Sequence, residues 1–191
     1  MGKPLKSINQ GCNKELARLK SALPAGQRTS KRIQSLTQKR NCRVNTILHR
    51  VSRRIIEFMT LMGIGKLVIG KNDGWKQAVK LGKRTNQNFV QIPHARLIEM
   101  LTYKAQLVGI QAIMTEESYT SKCRFLDGEA VCKHEQYVGR RIQRGLFRAS
   151  DGRMINADVN GAYNILRKVI PNAFGNGIGG AVVHPVRVHP A

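Results

Sequence analysis

Two short apolar runs limit what this chain can fold into. GKLVIGK (65–71) and IQAIMT (110–115) are both brief and rich in β-branched residues, and the first is bounded by glycines. Such runs read as buried strands. Between them lies HARLIEMLTYKAQLVG (94–109), which places Leu97, Met100, Leu101, Ala105 and Val108 on one face of a helix, with Pro93 at its start. After the second run come a basic, irregular or β-rich excursion and then a last helix in NADVNGAYNILRK (156–168). The order strand, helix, strand, excursion, helix predicts an α/β domain with parallel pairing. Ligand sites in such sheets lie beyond the carboxyl ends of the strands. Those ends are Gly70 and Lys71 on one strand and residues 115–118 on the other, and only the second end is acidic.

Ahead of the first strand the chain is helical and strongly basic. A helix is expected over 12–22, then a turn or loop at Pro24 and Gly26, then a second helix over 41–63. The second carries Val44, Ile47, Leu48, Val51, Ile55, Phe58 and Met62 at spacings of three and four, and Gly63 is its expected stop. Arg43, Arg50, Arg53 and Arg54 lie on or beside its other face. They read either as a solvated face or as a phosphate-facing surface, and the scarcity of nearby acids favours the latter. Residues 1–56 hold fourteen Lys or Arg against one acid, Glu15, and the whole chain carries a formal charge of +22. A polyanionic partner follows, with nucleic acid as the default and an anionic membrane surface as the rival. The basic loop of 72–93 adds Lys76, Lys80, Lys83 and Arg84 to Lys71 as candidate phosphate contacts. Trp75 and Phe89 in that loop either pack on the core or stack on a base. No run of about 20 apolar residues suggests a membrane span, and the N-terminus lacks the apolar stretch of a signal peptide. Four scattered cysteines suit a reducing cytoplasm better than a disulfide framework.

Of eleven acids, eight have ordinary places in helices, turns or the basic excursion, which leaves Glu116, Glu117 and Asp158. Asp158 opens the last helix, where a carboxylate either caps the unpaired N–H groups or holds a metal ion. Acids at a strand end and a helix start, brought together in a positive protein, suit Mg²⁺. That ion takes oxygen ligands and completes its shell with water and substrate phosphate.

ESYTSKC, RGLFRASDGRMINADVNGAYNILRK and the block from GKNDGWKQ to LTYKAQLVGI make the chain resemble the TnpB/OrfB transposase-associated proteins of bacterial insertion sequences. These look like ancestors of the type V CRISPR effectors. The resemblance covers nearly the whole chain. It implies an RNA-guided DNA endonuclease with a RuvC-like, ribonuclease-H-type fold, an inserted zinc ribbon and Mg²⁺-dependent chemistry at three acids. Asp158 matches the third acid, with Asn160 and Asn164 placed to support it or the nucleic acid. The second acid normally follows the strand that reads LVIG here, a position held by Gly70; Glu117, with Glu116 as second choice, is the substitute at the neighbouring strand end. The first acid has no counterpart, and Met1 falls at the domain's third strand. The chain is therefore expected to be the C-terminal part of a nuclease, inactive alone unless an N-terminal fragment is supplied in trans. Two CxxC pairs would mark the zinc ribbon; Cys123, Cys132 and His134 remain and ASDG (149–152) stands where the second pair would be, so zinc is not expected.

The reading is thus an incomplete RuvC-like α/β domain over 1–122, a degenerate zinc-ribbon-like insertion over 123–153, a final helix over 154–172 and a Gly-rich tail over 173–191. Mg²⁺ is the expected cofactor. DNA and a guide RNA are the expected partners, and the cytoplasm, on the nucleoid, is the expected location. A nucleic-acid-binding protein without catalysis is the alternative.

Overall fold

The computed structural model describes residues 2–72, 92–143, 145–174 and 184. Lys76, Lys80, Lys83, Arg84, Trp75 and Phe89, and nearly all of the Gly-rich tail, lie outside the described residues. The chain is a mixture of helices and strands divided into two compact units.

The first unit is helical, built from α1 (Gly2–Ser21), α2 (Lys31–Leu61) and α3 (His94–Leu107). Both N-terminal helices begin ten residues before the sequence pattern suggests. In α1, Pro4 falls in the first turn, where its missing N–H has no intrahelical partner to lose. Leu5 and Ile8 then extend the apolar stripe of Cys12. α2 starts at Ser30, whose hydroxyl accepts the N–H of Ile33 at 3.3 Å, a side-chain N-cap. Between Leu36 and Val44 only Cys42 is apolar, so the amphipathic pattern lapses there although the helix does not.

Leu5, Val44, Leu48 and Met100 form the buried centre of this unit, with Ile8, Ile47, Ile92 and Leu97 against it. Each such side chain contributes about 1.5–3 kcal/mol by leaving water. Lys104 of α3 ties the pair α2–α3 by donating to the His49 carbonyl at 2.9 Å and the buried Ser52 hydroxyl at 2.7 Å. Desolvation, first, and the nearby Arg53 charge pull its pKa below the usual lysine value.

α2 and α3 end alike. Gly63 (φ 64°) and Gly109 (φ 74°) adopt the left-handed conformation, and the N–H groups of Ile64 and Ile110 reach back to the carbonyls of Met59 (2.8 Å) and Ala105 (2.9 Å). The glycine N–H groups bond Thr60 and Gln106, each at 3.1 Å, completing a Schellman motif at both exits. Each glycine thus stops a helix just before a strand begins.

Those strands, β1 (Lys66–Gly70) and β2 (Gln111–Thr115), open the second unit and pair in parallel, Lys66 against Gln111 through Gly70 against Thr115. The irregular excursion resolves into a three-stranded antiparallel meander of β3 (Arg140–Gln143), β4 (Leu146–Arg148) and β5 (Met154–Asn156), in the order β3-β4-β5. The last helix, α4 (Ala157–Val169), packs on β1, β2, β4 and β5 and so joins the two sheets. Phe125, Leu126, Phe147, Ala149 and Ile155 make the core of this unit, with Val159, Tyr163 and Phe174 against them. The rings of Phe125, Tyr163 and Phe174 meet with centroids 4.5, 4.7 and 5.3 Å apart.

Candidate functional site

The parallel strands end together. The last rung of their ladder is the Lys71 N–H on the Thr115 carbonyl at 2.8 Å, one residue past the final paired position, Gly70 against Thr115. Beyond it lies a cavity of about 540 Å³ lined by Lys71, Asn72, Met114, Thr115 and Glu116. The chain leaving β2 turns sharply at once. The Glu117 carbonyl takes the Thr120 N–H at 3.3 Å and the Thr120 hydroxyl at 2.7 Å, while the Glu117 N–H is taken by the side-chain oxygen of Asn72 at 2.9 Å. Lys168 of α4 reaches the same turn, donating to the carbonyls of Glu116 at 2.9 Å and Ser118 at 3.4 Å. Tyr119 closes it with φ 65°, a left-handed conformation unusual for a bulky side chain.

This clamp aims Glu117 at Gly70. A Cβ on Gly70 would lie 2.9 Å from Glu117 Oε2, 3.1 Å from Glu117 Cβ and 2.7 Å from Ile165 Cδ1. The Glu117 side chain therefore occupies the space that a side chain at position 70 would need. Glu117 is half-buried, and no described group hydrogen-bonds its carboxylate or pairs with it. Glu116 differs: it is exposed, and the Ser118 hydroxyl donates to its Oε1.

At the far end of α4, the cap is Asn156, not Asp158. The Asn156 side chain accepts the N–H groups of Asp158 at 2.9 Å and Val159 at 3.2 Å. Asp158 stands in the first turn, exposed, with its carboxylate free of capping duty but still favoured by the positive end of the helix dipole. It lies seven residues before Ile165, hence on the same helix face and about 10 Å of rise away. Among the described residues no group of three or more His, Cys, Asp or Glu side chains is arranged to hold an ion. This applies to Glu116, Glu117 and Asp158 as it does to Cys123, Cys132 and His134.

Asn160 and Asn164 correct the sequence reading. Both are fully buried, so neither can touch a nucleic acid. Asn160 accepts the Phe125 N–H and donates to the Cys123 carbonyl, both at 2.9 Å. Asn164 donates to the carbonyls of Thr120 (2.9 Å) and Cys123 (2.7 Å) and accepts from Arg167 at 2.9 Å. Their amides bolt the segment that follows Glu117 onto α4. The spacing Asn156, Asn160, Asn164 was the available signal, since steps of four keep polar groups on one helix face.

Sequence reasoning also missed the centre of the insertion. Arg124 is 2% exposed. It pairs with Asp127 at 2.5 Å and donates to the carbonyls of Val138 (3.0 Å) and Arg148, while its N–H bonds Glu129 at 2.7 Å. Asp127 in turn accepts from the Ser150 hydroxyl at 2.7 Å. Through Arg124 and Asp127 the turn at 149–152 is tied to the turn at 124–128. Cys123 is buried, and burial, first of several causes, pushes its thiol pKa up; Cys132 is exposed, 3.3 Å from His134 Nε2.

On the helical unit, Arg43, Arg50, Arg53 and Arg54 are all exposed along α2. Arg53 is partly neutralised by Glu57 at 2.7 Å. Lys71, at the end of β1, is exposed as well.

Two family models match the chain: a probable transposase of the OrfB IS605 type over residues 1–76, and the Cas12f1-like TNB domain over residues 94–165. No curated protein matches. Among solved structures, a chain of a Cas12f1–sgRNA–target DNA complex has a similar fold, with a TM-score of 0.55 at 23% identity. The similarity covers 80% of this chain and 40% of that one, so the chain spans about two fifths of its structural neighbour's length. The motifs from ESYTSKC to NILRK and the two family models agree: the chain is similar to OrfB-type transposases over residues 1–76 and to the Cas12f1-like TNB domain over residues 94–165.

Proposed function

We propose that this chain is a nucleic-acid-binding component of a RuvC-type, Mg²⁺-dependent DNA nuclease, with Glu117 and Asp158 as its metal-holding carboxylates. The observation that carries the reading is the Glu117 side chain filling the space over Gly70, with a carboxylate that no described protein group engages. The donors suit the ion in kind, because Mg²⁺ is commonly held by one or two carboxylates and keeps water and phosphate oxygens for the rest. When bound, such ions generate a nucleophilic hydroxide near neutral pH and stabilise the leaving oxygen of a phosphodiester. Glu117 after β2 and Asp158 in the first turn of α4 would be the residues that hold such an ion.

The remaining parts of the reading concern partners. The exposed arginines of α2 hold backbone phosphates, and sequence choice comes from pairing with a guide RNA, as the nucleic acids in the neighbouring Cas12f1 complex suggest. A further strand and acid would come from an N-terminal family fragment. β1 has a single described neighbour, β2, which leaves an edge for such a strand. The second reading is a nucleic-acid-binding protein without catalysis. It is favoured by the lack of a three-acid cluster among the described residues.

Cleavage of labelled DNA in Mg²⁺, by the chain alone and with an added N-terminal fragment, separates the two. Cleavage lost in Asp158→Ala supports the nuclease; binding with no cleavage in either mixture supports the second reading. Binding itself carries a salt signature. Each phosphate neutralised adds about 0.9 to the slope of log K against log salt on duplex DNA. The triple variant Arg43→Ala/Arg50→Ala/Arg54→Ala is therefore expected to lower that slope by about 2–3. An unchanged slope would move the nucleic-acid surface off this helix.

A further inference from the structure

We propose that Asn72 is a positioning residue for Glu117; the inference rests on the reading of Glu117 as a metal ligand. The sheet stops one step too early to hold Glu117 by backbone bonds alone. β1 and β2 end at Gly70 and Thr115, and the final ladder bond is Lys71 to Thr115. The next donor on the β2 side that faces β1 is the Glu117 N–H, and the Asn72 side-chain oxygen meets it at 2.9 Å. A side-chain amide thus takes the N–H that the next backbone rung would have used.

The consequence concerns direction. With its N–H on Asn72 and its carbonyl on Thr120, residue 117 is fixed on both sides. Its carboxylate then points into the Gly70 recess, 2.9 Å from where a Cβ would stand. Lys168 steadies the flanking carbonyls but does not touch the Glu117 peptide N–H. Without Asn72 that N–H turns to water, and Glu117 regains rotation about its backbone. Partners that orient a ligand from behind typically alter metal affinity 10–100-fold when lost.

The test uses the full chain and Mn²⁺ alone, with free Mn²⁺ followed by electron paramagnetic resonance. Asn72→Ala is expected to weaken Mn²⁺ about tenfold. Its thermal midpoint should fall by no more than about 4 °C, the scale of one hydrogen bond in a chain of this size. Asn72→Asp keeps the acceptor oxygen and should restore affinity. Because a new carboxylate could bind metal itself, Asn72→Asp/Glu117→Gln is the control, expected to be as weak as Glu117→Gln alone. The inference is overturned if Asn72→Ala binds Mn²⁺ like the unaltered chain while Glu117→Gln binds poorly. It is equally overturned if the double variant keeps the affinity of Asn72→Asp. If the unaltered chain binds no Mn²⁺, or Glu117→Gln changes nothing, the metal reading itself fails and the role of Asn72 falls with it.

Discussion

Asn160→Leu is expected to lower the thermal midpoint by about 4–8 °C, the largest stability loss of any single substitution considered. Leucine fills similar volume but leaves the buried Phe125 N–H without a partner and removes one of the two amide bonds to the Cys123 carbonyl, which keeps Asn164. Each orphaned buried group costs about 1–3 kcal/mol, and the added apolar contact offsets part of it. A net loss of about 2 kcal/mol corresponds to that shift for a chain of this length. Asn164→Leu should cost less. It strands a carbonyl, that of Thr120, where Asn160→Leu strands an N–H, and the Arg167 guanidinium keeps Glu129. Thermal unfolding of both variants checks the order. A midpoint within about 2 °C of the unaltered chain for Asn160→Leu would mean that water replaces the amide, and that the 120–125 segment is not bolted to α4.

Glu117→Gln and Asp158→Asn are each expected to lower Mg²⁺-dependent cleavage on the order of a hundredfold or more, the scale of losing one group that stabilises developing charge. The effect should appear in whichever mixture cleaves. Stability separates this from a folding defect. Asp158 is not the cap of its helix, so Asp158→Asn forfeits only a favourable interaction with the helix dipole, within about 1 kcal/mol. In Glu117→Gln the backbone bonds to Asn72 and Thr120 remain, and no described partner of the carboxylate is lost. Cleavage that survives both substitutions would place the chemistry on other residues.

Much of the fold was legible because its signals are local. Gly63 marks a helix exit in the sequence and adopts the left-handed conformation that makes it so, as Gly109 does at the end of α3. The short apolar runs after them are strands, and the α/β order does produce parallel pairing. The start of α2 was hidden because its first turns carry charge with apolar residues only at Ile33 and Leu36, while a single hydroxyl, Ser30, fixes the end. The site was legible by position but not by role. A glutamate at a strand end is visible in sequence; that it covers Gly70, or that Asn72 meets its N–H from 45 residues away, depends on how the strands are paired. Asn160 and Asn164 were misread because an amide near a candidate acid looks the same whether it faces solvent or the interior. Arg124 was passed over since, in a chain of +22, one more arginine carries no sign that it is buried.

The claim on which the functional account turns is that the Glu117 carboxylate takes the place of a side chain that Gly70 lacks. Moving the carboxylate across the recess tests it most directly, with Mn²⁺ affinity as the readout. Glu117→Ala is expected to lose affinity by about tenfold or more, and Gly70→Glu in that background, with Ile165→Val removing the Cδ1 that would stand 2.7 Å from the new Cβ, to recover it to within a few-fold. A Glu117→Ala chain that binds Mn²⁺ as tightly as the unaltered one would contradict the account.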